Sequence, residues 1–295
     1  MLQRFHGGPV GPLAVPDPIS TFMPRLQKRH YAYFWSALTG GIGGLIALTI
    51  ATVKLHNMDL EKLFIVGGSL LIPSLYVWYL DMRSHFVDPR WRVLVLTFLL
   101  GAFVGAPIAI VLEAVLPSGT GAAGPAFYTG LIEEFAKVAA IFWLLRTRFR
   151  YLSFEMDGII LGAAAGMGFA AIEDLLYGAA AFQHGLHVVV ATVWAREILG
   201  PFGHGTWTAI VVGAIWRVKG KGAPRLTASV IGAYLLAAAL HGAWDWEPFG
   251  GAAGLIWIIA VGAIGITILR GMVHQALQQE DLYLKGQPPV PLRTP

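Results

Sequence analysis

The chain has 295 residues, of which 56% are hydrophobic and only 13% charged, with a mean hydropathy of +0.64. A soluble domain carries about twice that charge, so a soluble globular enzyme is excluded and a polytopic membrane protein is expected. The net charge of +4 comes from basic residues that fall mostly between apolar runs, without a basic groove or an RNA motif, so no nucleic-acid partner is expected. Cysteine is absent, which removes disulfides and thiolate metal sites.

In chain order, the Pro- and Gly-rich opening "MLQRFHGGPVGPLAVPDPIS" lacks the apolar core of a signal peptide, and residues 1–30 read as a disordered cytoplasmic arm. Eight apolar runs then follow, near residues 32–53, 63–80, 93–116, 126–145, 158–182, a sixth ending near Trp216, 226–244 and 252–272. The sixth, "HVVVATVWAREILGPFGHGTWTAIVVGAIW", would be ~45 Å long as one helix, so a break is expected at Pro201, with the part before it interfacial or re-entrant. The tail "GQPPVPLRTP" reads as disordered, residues 275–295 as a cytoplasmic tail, and Glu280 and Asp281 as solvated within it. The expected fold is thus an all-α transmembrane bundle over residues 31–274.

The connections alternate in charge. Arg25, Lys28 and Arg29 precede the first run; Arg83, Arg90 and Arg92 follow the second; Arg146, Arg148 and Arg150 the fourth; Arg217, Lys219, Lys221 and Arg225 the sixth. The positive-inside rule then puts both termini in the cytoplasm, consistent with an even number of spans. Glycines inside the runs, as in "GGIGG" and "GAAAGMG", suggest close helix packing through small residues. The tryptophans read as interfacial belt or packing, and His184 and His187 are assigned no role.

Ionisable groups are costly in a bilayer and usually face a bundle interior or a wet cavity. The deep ones are Glu133, Glu134, Lys137, Glu173, Asp174, His204, His241 and Asp245. Glu133 lies ~10 Å from the outer end of its run and Glu173 ~13 Å below the top of the next. His204 follows the Pro201 break, and His241 is about a turn from the outer end of the seventh run. Four successive spans therefore set carboxylates and imidazoles at similar depth in the outer half of the membrane. Glu133 and Lys137 are four apart and share a face, whereas Glu134 points about 100° away, toward a neighbouring helix. Asp245, one turn after His241, can fix its tautomer. A desolvated glutamate near histidines can activate water, alone or on a metal, and two histidines with a glutamate are a plausible zinc set. No HExxH is present, so the chain is not a zincin. The blander readings are a buried Glu133–Lys137 pair that fixes packing, a cation or proton site at Glu173 and Asp174, and an interfacial His204.

The stretches "EEFAK", "FAAIED", "FGHGTWT" and "HGAWDW", in that order on successive runs, resemble the PrsW family of intramembrane proteases, related to the CAAX prenyl endopeptidases and the bacteriocin-processing enzymes. The resemblance begins at "DPRWRVLVLTFLLGAFVGAPIAIVLE" and covers residues 88–246. It implies an endopeptidase that cuts membrane proteins, as in site-one cleavage of an anti-sigma factor on the extracytoplasmic side, in what is expected to be a bacterial plasma membrane. Carried onto this chain, it implies Glu133 and Glu134 as the catalytic doublet, with Glu133 preferred for activating water. Lys137 would be its electrostatic partner, and Glu173, His204 and His241 catalytic groups or ligands of a zinc ion; a metal-free glutamate mechanism stays open. Asp174 stands where the family often has Asn. Expected partners are the lipid bilayer and a membrane-protein substrate, with the oligomeric state open. The alternatives are an ion- or proton-coupled transporter, which predicts matched broken helices in the two halves, and a non-catalytic scaffold.

Overall fold

The computed structural model describes residues 23–24, 27–87, 91–116, 118–148, 154–219 and 225–286. Most of the N-terminal arm and the last nine residues lie outside them, as do Arg25, Arg90, Arg150 and Lys221 of the basic connections. The protein is an all-helical bundle. Its helices are α1 (Gln27–Leu55), α2 (Met58–Arg83), α3 (Trp91–Leu100), α4 (Ala106–Val115), α5 (Gly124–Arg148), α6 (Glu155–Phe182), α7 (Leu186–Leu199), α8 (His204–Lys219), α9 (Ala228–Trp246) and α10 (Gly251–Leu284). A π-helical turn, Gly101–Gly105, joins α3 to α4, and a 3-10 turn, Gly200–Phe202, joins α7 to α8. Among the described residues, these joints make the ten helices into eight rods, matching the eight apolar runs. Among the described residues, β1 (Met23–Pro24) and β2 (Phe86–Val87) form one short antiparallel pair.

Six rods are long and apolar enough to cross a membrane, including Trp91–Val115 and Leu186–Lys219 taken whole. The two outside that set are α5, which carries Glu133, Glu134 and Lys137, and α9, which has 19 residues and carries His241 and Asp245. Two of the four helices that hold the polar groups thus fall outside the set, while α6, with Glu173 and Asp174, and α8, with His204, belong to rods inside it. The four gain their place by packing on partners: α5 lies along α9, and α8 lies between α6 and α9.

Helix α6 is the axis of the molecule. Every residue from Glu155 to Ala171 is buried, with α2, α3, α7 and α8 packed around it. "GAAAGMG" makes this possible, because a helix without bulk on any side can be approached from all sides. "GGIGG" behaves differently. Gly40, Gly43 and Gly44 face open space, and only Gly41 meets a neighbour, Leu71 of α2, so the expected close packing fails there. Helix α1 is peripheral, with Ile46 and Ile50 about half exposed to what in a membrane is lipid.

One end of the bundle is tied by polar groups. Arg217 at the end of α8 forms a two-pronged pair with Glu155 at the start of α6, at 2.6 and 3.0 Å, and also donates to Gln275 of α10. Gln279 accepts from the Glu155 backbone N–H. Glu280, expected in solvent, is wholly buried. It accepts from Ser84 Oγ at 2.9 Å and from the His85 N–H at 2.7 Å. Asp281 is half exposed and reaches His85 Nδ1 at 3.0 Å. The sequence expectation fails here because α10 runs on as helix to Leu284, ~51 Å in all, well past a ~30 Å hydrocarbon core. Glu280→Ala removes the acceptor of two donors in a closed environment and is expected to cost about 2 kcal/mol, seen as a lower melting temperature in detergent. An unchanged melting curve would show that this tie carries no stability.

Candidate active site

The site is assembled where five helices converge. Helix α5 brings Glu133, Glu134 and Lys137, and can lie close to α9 because Gly130 faces Gly242. A Cβ on Gly130 would lie 2.5 Å from the Ala238 carbonyl oxygen and 2.9 Å from the Gly242 nitrogen. This contact, one turn before the α5 doublet, sets the doublet against His241. Helix α6 brings Glu173 and Asp174. His204 opens α8 as the sequence break predicted: α7 ends at Leu199, the 3-10 turn carries Pro201, and helix resumes at His204. The turn is held by Thr206 Oγ1, which donates to the Pro201 carbonyl at 2.8 Å and accepts from Tyr76 Oη at 2.7 Å. The segment before the break is the helix α7, packed on α2 and α6 and continuous in the same rod, rather than a separate re-entrant piece.

Lys137 is the hub. Its side chain has no exposed surface, and its ammonium reaches Glu134 Oε1 at 2.8 Å, Glu133 Oε2 at 3.2 Å and His204 Nδ1 at 2.7 Å. An ammonium has three protons and no acceptor, so all three are used and His204 Nδ1 must present its lone pair. The ring proton then sits on Nε2, which donates to Glu173 Oε2 at 2.7 Å. The ammonium also lies over the Phe169 ring, 4.2 Å from its centre.

The two carboxylates of the doublet differ. Glu134 is fully buried and committed to structure: Oε1 to Lys137, and Oε2 accepting from Thr208 Oγ1 at 2.9 Å. Every contact of Glu133 with Lys137, His204 and His241 falls on Oε2, and Glu133, unlike Glu134, lines a cavity of about 620 Å³. The walls of that cavity come from α4, α5, α6 and the end of α9, and they include Glu173 and Asp245. His241 is buried, with its ring stacked on Trp207 at 4.6 Å. Its Nε2 is 3.5 Å from Glu133 Oε2 and 3.3 Å from Asp245 Oδ2, and its Nδ1 is 3.3 Å from Glu134 Oε1, without hydrogen-bonding geometry.

The residues picked out in sequence are all in this cluster, but their grouping differs from the expected zinc set of Glu173, His204 and His241. Among the described residues, the side chains close enough to share one ion are Glu133, His204 and His241, whose ligand atoms lie within 4.8 Å of one another. Glu133 Oε2 is 3.8 Å from His204 Nδ1 and 3.5 Å from His241 Nε2, near the ~3.3 Å edge of a tetrahedron with ~2.0 Å bonds. The three groups could therefore hold a zinc-like ion only with the Lys137 ammonium moved off His204 Nδ1 and Glu133 Oε2, the atoms the ion would take. Glu173 stands behind His204, where a carboxylate orients a ligand imidazole.

Two groups in the apolar rods escape the sequence reading. Arg196 on α7 reaches Glu173 Oε2 at 2.6 Å through Nη2 and Asp174 through Nε, so Asp174 serves an ion pair rather than the imidazoles. Glu197 is buried and accepts from the Ile72 N–H beside Pro73 of α2. Both are visible as charges in "WAREILG", and an interfacial reading of that stretch hides them. Thr208 and Trp207 give no separate signal, because a threonine and a tryptophan in an apolar run are ordinary.

A bundle with six helices long and apolar enough to cross a membrane, and with a cluster of buried carboxylates and imidazoles beside a cavity, is an integral membrane protein. The PrsW family intramembrane metalloprotease profile matches residues 89–278, well over half of the chain, and the protein belongs to that family. It is a membrane protease, a hydrolase. No curated protein and no solved structure matches the chain.

Proposed function

We propose that the protein hydrolyses a peptide bond of a single-span membrane protein, using water activated by Glu133 in the cavity. The observation that carries this reading is the division of the doublet: Glu134 is spent on Lys137 and Thr208, whereas Glu133 stands on the cavity wall beside both imidazoles. With Oε2 turned toward Lys137 and the histidines, Oε1 is left to take a proton from water. Lys137 holds the carboxylate in place and balances its charge. Glu173, itself gripped by Arg196, fixes the His204 ring with its Nδ1 lone pair accepting from Lys137. His241, stacked on Trp207 and flanked by Asp245, is placed to steady negative charge that develops on the carbonyl oxygen.

A zinc ion, the metal proposed for this site, would be held by Glu133, His204 and His241 in place of the Lys137 contacts and of the His241 role toward the carbonyl oxygen, and would supply a more acidic water and a polarised carbonyl. The substrate is proposed to be cut in the outer half of a bacterial plasma membrane, with an anti-sigma factor as one example of its kind. The positive-inside reading of Arg83, Arg146 and Arg217 supports this, since the cavity is walled by the opposite ends of α4, α5 and α9.

The test is purified protein in proteoliposomes with fluorescent single-span probes, before and after a zinc chelator. Chelation is expected to stop cleavage, and added zinc to restore it. Full activity after chelation, with Glu133→Gln inactive, would leave the glutamate and remove the ion. Proton-coupled solute uptake without cleavage would overturn the proteolytic reading.

A further inference from the structure

The rod Trp91–Val115 changes partner halfway along. Its first half, α3, and the π-helical turn lie tightly on α6. Gly168 lacks the side chain that would collide with the Phe98 carbonyl, and Gly101 lacks the one that would collide with the Ala165 carbonyl. Beyond the π-helical turn, α4 packs chiefly on α5 and only lightly on α6. A π-helical turn inserts one extra residue into a helix, here marked by the Ala106 N–H bonding back to the Gly101 carbonyl, and so rotates the second half of the rod onto a new face.

The result is a cleft. The 620 Å³ cavity has α5, with Glu133, and the end of α9 among its walls, and it lies between α4 on one side and α6, with Glu173, on the other. Its lips are apolar and open. Ile110 on α4 is 52% exposed, and Leu176 and Tyr177 on α6 are 51% and 52% exposed. In a membrane protein such side chains face acyl chains, so the cleft opens sideways into lipid as well as toward the ends of the helices.

We propose that this α4–α6 cleft is the side door through which the substrate reaches Glu133, and that its occupant is a short, unwound stretch of a single-span membrane protein. The inference rests on the proteolytic reading above. Size selects the occupant. A spanning helix with its side chains fills roughly 2,400–3,400 Å³, from a length of ~30 Å and a width of 10–12 Å. The cavity holds about a fifth of that, so the helix itself stays outside against the apolar lips. An extended stretch also brings unpaired backbone N–H and C=O groups, which lipid cannot satisfy. Glu113, Asp245 and the catalytic carboxylates supply polar partners inside the same cavity.

The absence of cysteine makes the door directly testable. In an Ile110→Cys/Leu176→Cys double variant, the only thiols are on the two lips. Bis-maleimides of graded length, with a reducible disulfide in the spacer, can tie them together. The probe is a polyleucine–alanine single-span peptide with a Gly-Pro interruption near its outer end. Tying the lips is expected to lower cleavage at least tenfold relative to the same variant untied, with recovery on reduction. A tied protein that cleaves at the untied rate would overturn the door while leaving the protease intact. A photoreactive residue at position 110 is expected to capture the probe, and one at lipid-facing position 264 of α10 is not; equal capture at both would also overturn it. If the wild-type control cuts no single-span probe, the proteolytic reading falls, and the door with it.

Discussion

Glu133→Gln is expected to lower the cleavage rate by about a thousandfold while leaving the melting temperature nearly unchanged. A positioned general base contributes 10²- to 10⁴-fold, and the amide keeps the shape of the side chain but cannot take a proton at neutral pH. Glu133 has a wall of the cavity on one side, and its contact with Lys137 is the longer of the two Lys137–carboxylate contacts, 3.2 against 2.8 Å. Glu134→Gln provides the contrast. That carboxylate is fully buried and holds both Lys137 and Thr208, so its replacement is expected to lower stability first. Measuring activity and melting on both variants separates the two roles. Cleavage at the normal rate by Glu133→Gln would remove Glu133 as the base; a normal melting curve for Glu134→Gln would remove the structural role of its neighbour.

The second large effect is expected in the packing rather than the chemistry. Gly168→Val should cost about 3 kcal/mol or more, enough to deplete folded protein in the membrane. Its first added carbon would run into the Phe98 carbonyl, which is backbone and cannot turn aside as a side chain would. Either α3 moves off α6 or the helices fail to pack. Gly232→Val is the control, since Gly232 meets nothing within 4 Å and sits on α9 far from this contact. Yield and thermal melting in detergent are the readouts. Equal stability of the two variants would mean that α3 is held on α6 by something other than close backbone approach.

Much of the architecture is legible in the sequence because the bilayer enforces it. Apolar runs of about 20 residues separated by charge give rods, and the eight runs are the eight rods. The cluster is legible for the complementary reason: a charge in such a run is too costly to be incidental, so Glu133, Lys137, Glu173 and His241 stand out individually. How they divide the work is not legible. Spacing along α5 gives Glu133 and Lys137 a shared face, but the position of Lys137 between both carboxylates and His204 depends on where α8 lies. Arg196 is hidden because Pro201 reads as the end of the membrane portion of its rod, whereas the 3-10 turn passes the chain on with little interruption. The π-helical turn has no signal at all. "GAFVG" reads as ordinary apolar helix, and only its contacts with α6 and α5 make the extra residue necessary.

The size of the cavity has a consequence for hydration. Hydrolysis consumes water, and the interior of a bilayer is the driest place in a cell. At ~30 Å³ for each molecule in the liquid, 620 Å³ has room for on the order of twenty waters against Glu113, Glu133, Glu173 and Asp245. If the α4–α6 cleft is the side door proposed above, the cavity would serve as a store of water beside Glu133. On that proposal, each peptide stretch that enters would displace part of that water while leaving at least the molecule beside Glu133. Substrates that fill the cleft with bulky side chains would shut out their own co-reactant, so small residues around the cut bond are favoured by water supply as well as by fit.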